Sequence, residues 1–165
     1  MSAIVVQIKP ATVVMTGIEF MSYGNRYLDA VESLSNYSES EQWFDPLPYQ
    51  LLCQSLELFL KSFIWLSDKH SRKTIKNKYG HNIVKLWNHS KSRGIKKYCV
   101  PTNLRNDTIE LVGPYYKDRK FAYLDLNMSW EGIPKLSANP KSINILMRLC
   151  RQLSKSLDKP VLNAS

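Results

Sequence analysis

"PYQLLCQSLELFLKSFIWL", residues 48–66, is apolar over most of a helical circumference, with Leu52, Leu56, Phe59 and Phe63 along its centre. That pattern predicts a central, largely buried helix rather than a surface one. Its polar residues Gln50, Gln54, Glu57 and Lys61 collect in one narrow stripe, and Glu57 precedes Lys61 by four residues, the favourable order for a helical ion pair. Glu57 and Lys61 are therefore expected to be a half-buried pair that fixes packing, since no second carboxylate or nucleophile accompanies them for acid–base work. Pro48 suits the first turn, where its missing N–H costs no hydrogen bond.

Upstream, "GIEFMSYGNRYLDAVESL" (17–34) spaces Met21, Leu28, Val31 and Leu34 as a helix would, although Gly17 and Gly24 weaken it. Downstream, "SDKHSRKTIKNKYG" (67–80) reads as a basic linker. A helix then begins near His81 or Asn82, with Ile83, Val84, Leu86 and Trp87 on its apolar face and Gly94 placed to end it. Residues 98–138 are rich in Pro, Gly, Asn and aromatics, and "DTIELVG" (107–113) and "KFAYLDL" (120–126) alternate as short extended pieces would. The last helix has Asn139 to cap it and Pro140 to start it. Ile143, Leu146, Leu149, Cys150, Leu153 and Leu157 share one face, and Lys141, Arg148, Arg151, Lys155 and Lys159 the other. The expected fold is all-α, one domain over residues 1–165. It is a bundle of four or five helices with a small irregular or β insertion before the last.

Charge is unevenly spread. Residues 1–68 hold 3 basic and 8 acidic side chains, whereas residues 69–120 hold 14 and 3. The basic block makes either a surface that attracts phosphate backbones or a solvated face. Its candidate nucleic-acid contacts are Lys73, Lys76, Lys78, Lys96, Lys97, Lys117, Arg119 and Lys120. Tyr115, Tyr116, Phe121 and Tyr123 interleave with the last three, either to stack bases or to pack on the bundle. Cys53, Cys99 and Cys150 show no paired spacing and read as reduced core thiols of a cytoplasmic protein. No signal peptide or membrane span is expected, because no uncharged apolar run approaches the roughly 18 residues a span needs. Metal and cofactor motifs are absent from the sequence: His81 and His89 lack a third ligand, and there is no phosphate loop.

Two of these stretches together resemble a known family. Glu57, Leu58, Leu60 and Lys61 match a helix of the form E-L-x-L-K, and Gly80, His81, Asn82, Ile83 and Leu86 match G-H-[DN]-[ILV]-x-x-L. Both are similar to motifs of the HEPN superfamily, the higher eukaryotes and prokaryotes nucleotide-binding helical domains. The specific match covers about residues 48–92, and "YYKDRKFAYL" (115–124) resembles the segment before the final helix in some members. The resemblance implies a helical bundle, a homodimer, and a place in bacterial defence or toxin–antitoxin systems. Many members are metal-independent ribonucleases with an arginine followed, after four to six residues, by a histidine. An imidazole then moves the proton of the ribose hydroxyl while a guanidinium stabilises the phosphate.

This chain departs from that motif. Eight residues separate Arg72 from His81, and only Lys76, with four between, has the spacing. Lysine lacks the bidentate fork. His81 is therefore expected to be structural, with His81 and Lys76 as the catalytic pair only if the chain is a ribonuclease. The function expected from these residues is a non-catalytic module that binds nucleic acid or an acidic protein. The alternatives are a metal-independent endoribonuclease with a degenerate motif, and a structural dimerisation protein.

Overall fold

A computed structural model describes residues 16–34, 45–122 and 141–164, apart from the Arg72 side chain. These residues form six α-helices: α1 (Gly17–Leu34), α2 (Leu47–Asp68), α3 (Arg72–Tyr79), α4 (Ile83–Ser92), α5 (Asn103–Lys117) and α6 (Lys141–Asn163). A short 3-10 turn at Ile95–Lys97 joins α4 towards α5, and no strand occurs among the described residues. Helix α2 is the axis on which the others pack, touching all five. Leu52, Leu56, Phe59, Leu60, Phe63 and Ile64 are buried along it, as its near-continuous apolar circumference demands.

Two stretches are corrected, and they raise the helix count above the expected four or five. The supposed basic linker contains α3, capped where the Ser71 hydroxyl accepts from the Thr74 N–H at 3.3 Å. Ile75 and Tyr79, one turn apart, supply its buried side. "DTIELVG" is not extended but lies within α5, whose buried residues Thr108, Ile109, Val112, Gly113 and Tyr116 follow a helical period. Pro114 lies inside α5, where its missing N–H removes the helix bond to the Glu110 carbonyl. The remainder of the expected insertion from residue 123, and the Asn139–Pro140 cap, lie outside the described residues.

Helix ends follow the local chemistry. Thr16 and Glu19 make half of a capping box, the Thr16 N–H donating to Glu19 Oε2 at 2.7 Å. Asp45 Oδ1 accepts from Leu47 N–H at 2.9 Å at the start of α2. Asn82 caps α4 by accepting from Lys85 N–H at 2.9 Å. The turn into α4 needs φ of +54° at Gly80, which a side chain would strain.

Gly17 and Gly24 are the contact between α1 and α2. The Ser55 hydroxyl donates to the Gly24 carbonyl at 2.9 Å and the Ser62 hydroxyl to the Gly17 carbonyl at 2.8 Å. Each pair of residues is seven apart in sequence, so the two helices run antiparallel with small residues facing. Such an approach is open only to residues without bulk. On α6, Leu146, Leu149, Cys150, Leu153 and Leu157 are buried, Ile143 is half-buried, and the five basic residues are exposed. Arg151 pairs with Glu32 of α1 at 2.6 Å. All three cysteines are free and buried. Burial pushes the Cys99 thiol up to about 11 and Cys150 to about 12, keeping both neutral. No helix among the described residues is long and apolar enough to cross a membrane.

Candidate functional site

The polar stripe of α2 is the first place where the sequence motifs meet. Glu57 is 1% exposed and Lys61 7%, and Lys61 Nζ donates to Glu57 Oε1 at 2.5 Å. Burying two charges costs several kcal/mol unless the carboxylate's lone pairs and the ammonium's protons find partners, and here the carboxylate's do. The Tyr116 hydroxyl of α5 donates to Glu57 Oε2 at 2.6 Å, and His81 Nδ1–H donates to the same oxygen at 3.0 Å. The Tyr116 oxygen also lies 2.8 Å from the Gln54 side chain. One phenolic proton serves one acceptor, and the ionised carboxylate is the stronger. Burial, reinforced by the Glu57 charge, pushes the Tyr116 phenol far above its ordinary range, so it remains a donor.

His81 lies just before α4, at the mouth of this network. Its side chain is 51% exposed while the carboxylate below is 1% exposed. The bond to the Glu57 carboxylate puts a proton on Nδ1 and leaves Nε2 without a partner among the described residues. Lys76, its counterpart in the degenerate motif, is exposed on α3.

A second buried carboxylate repeats the arrangement further along α2. Asp68 Oδ2 accepts from His89 Nε2 of α4 at 2.7 Å and has His70 Nε2 at 3.6 Å, while Oδ1 accepts from the Ser67 hydroxyl at 3.0 Å and forms an ion pair with Arg93 Nε at 3.0 Å. Burial works against its ionised form. Hydrogen bonds from His89 and Ser67 and the charges of His89 and Arg93 outweigh it, holding the carboxyl below its usual range. Among the described residues no group of three His, Cys, Asp or Glu side chains is placed to hold a metal ion.

Beside His89 an open groove of about 710 Å³ lies between α3, α4 and the end of α5. Val84, Gly113 and Pro114 form its apolar part; Lys78, Lys85, Lys117, Asn82, Asn88 and Asp118 its polar part; and Tyr79 and His89 complete the lining. A Cβ on Gly113 would overlap the Val84 side chain, so the glycine lets α5 come down onto α4 there. Lys78 Nζ and Lys85 Nζ sit 5.3 and 5.8 Å from the Tyr79 ring centroid. Lys85 Nζ also donates to the Lys78 carbonyl at 2.7 Å.

Of the eight basic candidates, Lys78 and Lys117 line this groove. Lys73 and Lys76 are exposed on α3, Lys96 and Lys97 on the 3-10 turn, and Arg119 and Lys120 on the turn after α5; none of these six lines it. Lys85 and Asn88 do, and sequence reasoning passed over them. Their signal was the spacing of Asn82, Lys85 and Asn88, which puts them on one face of α4. The aromatic candidates divide. Tyr116 serves Glu57, and Phe121 is buried with ring centroids 5.4 Å from Tyr49 and 5.9 Å from Tyr115. Tyr123 lies outside the described residues. Comparison of the chain with protein-family models, curated proteins and solved structures returns no match.

Proposed function

We propose that the chain is a non-catalytic nucleic-acid-binding module of HEPN-like architecture. The observation that carries it is the convergence of Lys78, Lys85 and Lys117, from three different helices or their junctions, on one concave surface. Three ammonium groups around an apolar floor suit a strand that offers both phosphates and bases. The HEPN-like architecture is supported by the meeting of Glu57, Lys61 and His81, which the two motifs hold 24 and 20 residues apart. Binding to a labelled single-stranded RNA should weaken as salt rises, by about 0.7 log unit per log unit of salt for each phosphate contact. Replacing Lys78, Lys85 and Lys117 together by glutamine should reduce that slope by about two while the protein stays folded. An unchanged slope would sink the groove as the interface; no binding at low salt would sink the function.

The half-exposed imidazole favours one second reading, a metal-independent endoribonuclease. A buried carboxylate on Nδ1 with the other nitrogen outward is the arrangement a general base requires. This reading predicts cleavage that persists in EDTA, leaves a 2′,3′-cyclic phosphate, and is lost in a folded His81→Ala protein. In the preferred reading no such cleavage occurs, and His81→Ala costs only about 1 kcal/mol of stability through one lost hydrogen bond. The homodimer that the HEPN resemblance implies goes with either reading; in the ribonuclease one, two copies complete one site.

A further inference from the structure

We infer that Asn88 is the base-reading side chain of the groove, which takes an unstacked base of a single strand. This rests on the nucleic-acid-binding reading and narrows it. The groove is open and concave, with a volume of about 710 Å³, within the roughly 300–1,000 Å³ range of ligand clefts. A duplex cannot use such a surface well: it offers a convex backbone, and its bases stay stacked inside with their edges paired. A single strand can turn one base inward. The base then lays an apolar face against Val84 and Pro114 while its phosphates stay outside.

The groove's polar side chains divide by what they already do. Lysines are point charges that hold phosphates without distinguishing bases. The Asn82 oxygen is committed to the Lys85 N–H at 2.9 Å, His89 Nε2 to Asp68 at 2.7 Å, and Tyr79 is only 4% exposed. Asp118, exposed at the groove's end, offers only acceptors, and Asn88 differs from all of these. It is exposed on the groove wall, one turn beyond Lys85, and its amide has no partner among the described residues. An amide presents a donor and an acceptor side by side, which is what a base edge requires for a bidentate contact. Adenine offers that complementary pair on two edges, N6 with N7 and N6 with N1, which makes an adenine strand a suitable probe.

The test compares a short single-stranded oligoadenylate, the same strand with abasic ribose positions, and a duplex of the same length. Asn88→Ala sits at an exposed position in a helix, where alanine supports the fold. It should weaken oligoadenylate binding about tenfold, the loss of one good bidentate pair. It should leave abasic binding and the salt slope unchanged, and Asn88→Gln should recover part of the loss. The duplex should bind no more tightly than the abasic strand. An equal effect of Asn88→Ala on both single strands, or no effect, overturns the assignment while the lysine groove stands. Failure of the wild-type protein to bind any of the three strands takes down both.

Discussion

Glu57→Leu should destabilise the protein by about 3–5 kcal/mol, because it strands the Lys61 ammonium in the core without its counter-charge. Among the described residues Lys61 Nζ has its one hydrogen bond to Glu57, and the residue is 7% exposed. The two halves of the pair are not equivalent. Lys61→Met leaves Glu57 with donors from Tyr116 and His81, so its loss should be clearly smaller. The double variant Glu57→Leu, Lys61→Met removes both charges and fills the space with apolar atoms. It should recover most of what the single leucine loses, since Tyr116 retains Gln54 as an acceptor. Urea denaturation of the four proteins, compared at constant m-value, measures each difference. A Glu57→Leu protein within about 1 kcal/mol of wild type, or a double variant no better than that single one, would contradict a buried, mutually dependent pair.

Gly24→Ala should cost about 2 kcal/mol, more than Gly17→Ala, even though alanine is the better helix former by about 1 kcal/mol. The added methyl at Gly24 would stand 2.8 Å from the Phe59 ring, which is 0% exposed and has nowhere to go. At Gly17 the methyl would meet Trp65, which is only partly buried and can swing outward. The mobility of the obstacle, rather than its nearness, therefore sets the order. Phe59→Leu should relieve the Gly24→Ala strain, so a double-mutant cycle should show a coupling of at least about 0.5 kcal/mol. Equal losses at the two glycines, or additive behaviour of Gly24→Ala with Phe59→Leu, would mean that α1 tilts away as a whole.

Helices whose burial is written as a long apolar stripe were legible: Leu52 to Phe63 in α2 and Leu146 to Leu157 in α6 repeat often enough to outweigh local noise. The short ones were not. Helix α3 shows only Ile75 and Tyr79 as apolar anchors among lysines, too few for a period to stand out. In α5 the β-branched Thr108, Ile109 and Val112 and the helix-breaking Gly113 and Pro114 argue for extended chain. Packing against α4 overrides them. At the site, Glu57 and Lys61 were legible because an ion pair four residues apart is a local property. Tyr116 on Glu57, and His89 on Asp68, join residues 59 and 21 apart, and nothing local announces such pairings. The glycines of α1 were visible, but only their cost to the helix was read. Propensity counts a glycine against a helix, whereas here it admits a neighbour.

The paired small residues of α1 and α2 also carry information, as distinct from energy. Gly17 and Gly24 face Ser62 and Ser55, so the register between the helices is written twice. Sliding α1 by one turn would set side chains with Cβ atoms against Phe59 and Trp65 and leave two buried hydroxyls without acceptors. Sliding it by seven residues would restore one match, Gly17 with Ser55, and bring Gly24 opposite Pro48 near the end of α2. Every misalignment is thus penalised by steric overlap and by lost hydrogen bonding together. The hairpin behaves as a keyed joint with one seated position. The stripe that carries Glu57 towards His81 inherits its orientation from that key.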